Sequence, residues 1–324
     1  MLTIFTRHRH ALALTAAAAS WGFATAITKH AVNEISPTTL LPLQLASSLL
    51  VLGPLVLFRG QPMPWSPKLR RLGYLGVLNP GISYALSLLG LVYITASMSV
   101  LLWATEPILI VGLSWWLVGD RIDRRLAIAA AVALTGVILV VLREEGGGAP
   151  IGVILTLAGV AACAFYTVIS CKWITTEGSI EVVAVQQAAA LVFALVLALV
   201  VAAVTGTRLP DASATAWASA VTSGILYYGL GFWLYLTGLR HVPAVWAGLF
   251  LTLIPLFGIL AGRLLLDEEL SPRQWFGGLL IVVAVVAIAG RLARSSEGQR
   301  TADQPKIGSN HAVTESRDVG PSGL

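Results

Sequence analysis

Residues 73–91, GYLGVLNPGISYALSLLGL, and residues 221–239, VTSGILYYGLGFWLYLTGL, line up without a gap. Gly76 meets Gly224, Gly81 meets Gly229, and Gly90-Leu91 meets Gly238-Leu239. The same shift of 148 continues over 73–141 and 221–289. Pro107 then meets Pro255, each within an apolar run, and Asp120 meets Glu268, each at the end of one. Earlier in the chain the best shift is 143, which places Lys29 on Lys172 and Gln44 on Gln187. The difference between the two shifts fits an indel in the loop after the second helix of each copy. One such match carries little; their common order along the chain marks an internal repeat.

Working outward, the repeat is made of apolar runs. A spanning helix needs about 20 mostly apolar residues. Runs of that kind fall at 11–29, 38–58, 72–91, 96–118, 126–142, 150–172, 181–204, 214–239, 243–265 and 273–290. The separators carry turn or charge signals, among them Asn33-Glu34-Ile35-Ser36-Pro37, Arg59-Gly60-Gln61-Pro62 and Asp267-Glu268-Glu269. The expected fold is therefore an all-α integral membrane protein with ten transmembrane helices in two five-helix repeats. Its parts are a cytoplasmic N-terminus at 1–10, a first repeat at 11–142, an external linker at 143–149 and a second repeat at 150–290. Residues 291–324, rich in Ser, Gly and charge, are expected to form a disordered cytoplasmic tail.

Composition agrees with this reading. The chain has 324 residues, of which 56% are hydrophobic and 11% charged. Soluble domains carry about 25% charged residues, so the apolar solvent here is the bilayer. The net charge of +5 does not indicate nucleic acid, because the basic residues sit at the ends of apolar runs and in the tail. Cys163 and Cys171 lie too far apart on one helix to form a disulfide. No Cys/His metal spacing and no phosphate-binding loop occur, so neither a metal nor a cofactor is expected. The apolar run after Arg7-His8-Arg9-His10 continues to about Thr28, which favours a spanning helix over a cleaved signal.

Lys and Arg set the expected orientation. With the N-terminus inside, 16 of the 21 fall in cytoplasmic segments and 5 outside. Both termini are predicted cytoplasmic, in a cell (inner) membrane. Five helices per repeat is an odd number, so the second copy enters from the opposite side. Inverted repeats suit alternating access, in which the halves exchange conformations.

Trp21-Gly22, Glu106-Pro107 with Gly119-Asp120-Arg121, and Leu266-Asp267-Glu268-Glu269-Leu270-Ser271 before Gly277-Gly278 resemble the drug/metabolite transporter superfamily, EamA type. The resemblance covers about residues 11–290 and implies ten helices, cytoplasmic termini and a central cavity between the halves. It also implies transport, often export, of amino acids, related metabolites or drugs. There is one departure: where such proteins often carry an Arg in helix two, this chain has Gln44.

Glu106 is the deepest ionisable residue, and a carboxylate at that depth needs a partner, water or a proton. Thr95, Ser99, Trp103 and Glu106 share one helical face. Glu106 is read as a substrate-amine ligand or proton-coupling group; the alternative is a neutral Glu bonded to a neighbouring helix. Gln44 and Gln187 either bind polar substrate groups or join helices. Asn79, Ser83 and Ser87 form a polar stripe, with Tyr228 on the corresponding face of the second copy. Trp21, Trp103 and Trp246, with Phe23 and Tyr166, either form an aromatic cage or pack the core. Pro107 and Pro255 are candidate hinges. Lys29 is read as snorkelling, and Glu268 as capping a loop turn.

The expectation is a secondary-active exporter of a small metabolite (an amino acid or related compound) or a drug. Its partners are that solute and the lipid bilayer, with monomer or homodimer left open. An intramembrane lipid enzyme would need clustered carboxylates, His or Ser/Lys pairs, which the sequence lacks. A non-transporting membrane protein has no evident use for an inverted repeat.

Overall fold

The computed structural model describes residues 2–58, 67–118, 124–141, 149–171, 179–206, 210–239 and 250–302. All regular structure among them is helical. In the first half the elements are α1 (Leu2–Val32), α2 (Pro37–Leu57), α3 (Pro67–Gly76), a π-helical segment (Val77–Ile82), α4 (Ser83–Leu91), α5 (Ala96–Trp103), α6 (Glu106–Val118) and α7 (Arg124–Val141). The second half holds α8 (Pro150–Cys171), α9 (Ser179–Thr205), α10 (Ala214–Gly224), a π-helical segment (Ile225–Leu230), α11 (Gly231–Leu239), α12 (Ile254–Leu266) and α13 (Pro272–Ala302).

Among the described residues, six helical stretches are long and apolar enough to cross a membrane: His10–Val32, Pro37–Leu57, Leu69–Leu91, Ala96–Leu117, Pro150–Ser170 and Ile180–Thr205. Shorter apolar helices run over Ala127–Val140, Ile254–Leu266 and Pro272–Ala287. Large apolar side chains face outward, as lipid requires: Val192, Leu195, Val196, Leu199 and Val200 are all exposed on α9. Trp115, Trp116 and Trp275 are exposed near helix ends, where aromatic rings anchor at the interface. Trp217 packs against the buried cluster around Leu40, Leu45 and Tyr228.

The shift of 148 reappears in the backbone. Each bound of α3's end, the first π segment and α4 maps onto α10's end, the second π segment and α11. The bounds of α6 map onto those of α12, and the start of α7 onto the start of α13. The halves interlock. Helix α1 packs against α10, α11 and α12 of the second half, and α8 packs against α4, α5 and α6 of the first. Helices α2 and α9 pair across the middle, and α7 pairs with α13.

Close approach explains the matched pair Gly76 and Gly224. A Cβ on Gly224 would sit 2.6 Å from the Cα of Gln44, and one on Gly76 would collide with the backbone of Gln186. Helix α10 therefore touches α2 at the backbone, and α3 touches α9 likewise.

Four local expectations change. Pro107 and Pro255 do not kink continuous helices. The helix stops at Trp103, turns through Ala104-Thr105 and restarts at Glu106. Pro107 is thus in the first turn of α6, where its missing N–H is not needed. Pro255 holds the same place in α12. Thr105 O accepts the N–H groups of Ile108 and Leu109, which closes the new turn. Lys29 does not snorkel: its Nζ donates to Leu91 O at 2.7 Å, because the last carbonyls of α4 lack helical partners. Finally, α13 continues to Ala302, past the expected boundary at 290. Leu292, Ala293, Arg294, Glu297 and Gln299 are good helix formers and sustain it.

Candidate functional site

The two π segments explain how polar groups reach the middle of the bundle. A π turn releases carbonyls from the regular i→i−4 pattern, and within a bilayer each released carbonyl must find a donor. In the second half three side chains supply them. Ser20 Oγ donates to Leu226 O at 2.8 Å, Trp21 Nε1 to Tyr227 O at 2.8 Å, and Gln187 Nε2 to Tyr228 O at 3.0 Å. Gln187 Oε1 also accepts from Ser48 Oγ at 2.6 Å. These contacts hold the backbone so that Tyr227 and Tyr228 face inward.

Between the halves lies a small, partly enclosed cavity. Its walls come from α1 (Thr25, Thr28), α2 (Gln44), α4 (Tyr84, Ser87, Leu88, Leu91), α5 (Ser99, Trp103) and the second π segment (Tyr227, Tyr228). The space open to the centres of water-sized molecules is about 30 Å³. One water needs roughly 10–15 Å³, so this conformation has room for about two waters and too little for a metabolite. Aromatic rings line it: Tyr84 stacks on Trp103 at 5.2 Å and meets Tyr227 and Tyr228 edge-on at 5.3 and 5.2 Å.

Four expected site residues line this cavity together: Gln44, Ser99, Trp103 and Tyr228. Gln44 also joins helices, since its Nε2 donates to Thr28 Oγ1 at 3.0 Å and Ser223 Oγ at 2.7 Å. Trp21 and Gln187 stand behind the wall as the carbonyl donors just described. Trp21 is further held by Phe232 and Tyr235, at 5.4 and 5.6 Å. Ser83 is fully buried away from the cavity and donates to Gly159 O at 2.8 Å. Tyr166 donates to Gln186 Oε1 at 2.9 Å, and Gln186 Nε2 reaches Leu72 O at 3.2 Å. Phe23 packs beside Ala26, Ala96 and Ala261. The expected aromatic cage is therefore not assembled from Trp21, Phe23 and Tyr166; Tyr84, Trp103, Tyr227 and Tyr228 form the aromatic wall instead. Trp246 lies outside the described residues.

Glu106 begins α6, one turn beyond Trp103. It is half-buried and accepts a hydrogen bond from Cys163 Sγ on α8 at 3.3 Å.

Thr25, Thr28, Tyr84 and Tyr227 were not singled out from the sequence. A signal existed for three of them. Trp21, Thr25 and Thr28 are spaced on one face of α1, and Tyr84, Ser87, Leu88 and Leu91 on one face of α4. The mixture of polar and apolar types in the second set hid it.

Hydrogen bonds also tie the two halves together at two places. Glu268, after α12, accepts from the N–H groups of Ala96 and Ser97 at 2.7 and 2.8 Å and from Ser97 Oγ at 2.6 Å. Glu34 accepts from Ser213 N–H at 2.7 Å and Ser213 Oγ at 2.9 Å.

The EamA-like transporter family model matches residues 9–142 and again 150–290. An uncharacterized transporter of Archaeoglobus fulgidus is 25% identical over 278 residues, 83% of this chain and 94% of that protein. The uncharacterized transporter YvbV of Bacillus subtilis is 27% identical over 218 residues, 65% of this chain and 69% of that protein. A solved crystal structure with 21% identity superposes with a TM-score of 0.61, covering 89% of this chain and 98% of that one, which speaks to the fold alone.

Proposed function

The chain belongs to the EamA-like transporter family, and from that premise we propose that it moves a small organic solute across the cell membrane by alternating access. It is a multi-pass membrane protein of a transporter family, working in lipid on a small-molecule substrate. The finer reading rests on one observation. A cavity with polar and aromatic walls lies where helices of both halves meet, and Lys29 bonds to the Leu91 carbonyl in its wall. A site walled by both copies of a repeat opens to either side as the copies exchange conformations.

In this reading the chain spans ten times, as two inverted repeats at 11–142 and 150–290. Both termini face the cytoplasm, and the physiological direction is export. Gln44, Ser99, Trp103 and Tyr228 meet the solute. Trp21, Ser83, Tyr166 and Gln187 hold the helices that carry them. Glu106 is the coupling group: its proton occupancy is linked to the state of the cavity beside it. The helix breaks before Pro107 and Pro255 are the hinges, because an interrupted helix bends without breaking further ladder bonds.

The test is flux in proteoliposomes with labelled amino acids and organic amines, with and without an imposed pH gradient. Solute movement that follows the gradient, and loses that dependence in Glu106→Gln, is expected. Gradient-driven movement unchanged in Glu106→Gln overturns the coupling role. Absence of flux for every solute class overturns transport through this cavity.

A further inference from the structure

The cavity offers an amide, hydroxyls that both donate and accept, and ring faces, and none of its described lining residues is charged. The Gln44 amide is oriented by its neighbours. Ser223 Oγ donates its proton to Ala220 O at 3.0 Å, so the Gln44 atom 2.7 Å from that hydroxyl oxygen carries hydrogen and is Nε2. The carbonyl oxygen Oε1 is left buried and without a partner, on a residue only 1% exposed. Ser87 Oγ is a second unpartnered buried oxygen on the same wall. Beside them the stacked Tyr84 and Trp103 rings present faces of negative potential.

The positive end of a helix could have held an anion here, but the α5 N-terminus is already taken by the Glu268 carboxylate. A carboxylate entering this cavity would lose its hydration and meet no cation. An ammonium group would meet a carbonyl oxygen, a hydroxyl oxygen and aromatic faces. We infer that the solute is a small organic amine without a carboxylate, its N–H groups on Gln44 Oε1 and Ser87 Oγ and its apolar part against Tyr84 and Trp103. This rests on the reading of the cavity as the solute's passage.

The experiment is calorimetric binding to the purified full chain with three probes sharing one ring: β-phenylethylamine, phenylalanine and 3-phenylpropionate. The amine is expected to bind about tenfold tighter than either carboxylate. Ser87→Ala should weaken the amine several-fold, and Gln44→Arg, which puts a cation in the cavity, should shift preference toward 3-phenylpropionate. Ser87→Ala removes a single oxygen and keeps the test alive if Gln44→Arg fails to fold. Equal or tighter binding of the carboxylates to the wild type, or no binding of the amine, overturns the inference. The same probes in proteoliposomes separate the two readings. Flux that favours carboxylates sinks the solute class and leaves transport standing. Binding of the amine without flux does the reverse.

Discussion

Glu268 and Ser97 join the two halves of the chain: the carboxylate accepts both the backbone N–H of Ser97, at 2.8 Å, and its hydroxyl, at 2.6 Å. Ser97 is in the first turn of α5, where N–H groups have no helical acceptor and the helix dipole favours negative charge. Glu268→Ala is expected to lower stability by about 1.5–3 kcal/mol, the range for a hydrogen bond to a charged group. Glu268→Gln, which keeps one acceptor, should fall between Ala and the wild type. Thermal unfolding in detergent decides it; an unchanged midpoint in Glu268→Ala would show that water replaces the contact.

Glu34 gives a pH dependence. It lies between α1 and α2, and the backbone N–H and hydroxyl of Ser213 hold its carboxyl below the usual carboxylate range, with a smaller contribution from His30. A carboxylate depressed in the folded state stabilises the protein above its unfolded pKa, about 4.3, and loses that effect as pH falls through the depressed folded value. The stability gap between wild type and Glu34→Gln should therefore be present at neutral pH and close on acidification. Melting curves of both proteins at stepwise lower pH measure it, and a gap that widens toward acid contradicts it.

Gly224 and Gly53 make a matched pair for the packing argument. A Cβ at Gly224 would meet the Gln44 backbone, whereas one at Gly53 meets nothing within 4 Å. Gly224→Val is expected to cost about 1–3 kcal/mol or to prevent folding, as overpacking does. Gly53→Val should leave the melting temperature nearly unchanged. Similar losses at both sites would refute close helix approach as the reason for the repeat's glycines.

Trp21→Phe keeps the ring and removes the N–H that serves Tyr227 O. That carbonyl belongs to a π turn, and leaving it unpaired should cost about 1–3 kcal/mol. Loss of stability in Trp21→Phe, with less in Phe232→Leu at the ring's edge, is the expected order. The reverse order would make packing the main role of Trp21.

Much of the architecture was legible along the chain because lipid imposes a one-dimensional rule: apolar runs of spanning length, broken by charge and turn residues. The repeat was legible as well, since a shift read from Gly76 and Gly224 also relates the bounds of α3, α4, α10 and α11. Pro107 and Pro255 showed where backbone regularity would fail. That a turn would form before each proline, instead of a kink at it, depended on the closing bonds at Thr105 and Leu253.

The site was legible by residue type and not by membership. Sequence periodicity assigns a residue to a face of its own helix, but it does not say which helix that face meets. Helix α1 of the first half packs into the second, so Trp21 became a backbone donor to Tyr227 and left the aromatic wall to Tyr84, Trp103, Tyr227 and Tyr228. Gln44 and Gln186 are counterparts in the packing, each against a matched glycine, yet Gln44 keeps an unpartnered oxygen and Gln186 has both ends bonded. Hydrophobic patterning by itself determined that this chain lives in a membrane as a duplicated helical unit. Only the tertiary structure decided which polar groups face the cavity, because that depends on contacts between residues more than a hundred positions apart.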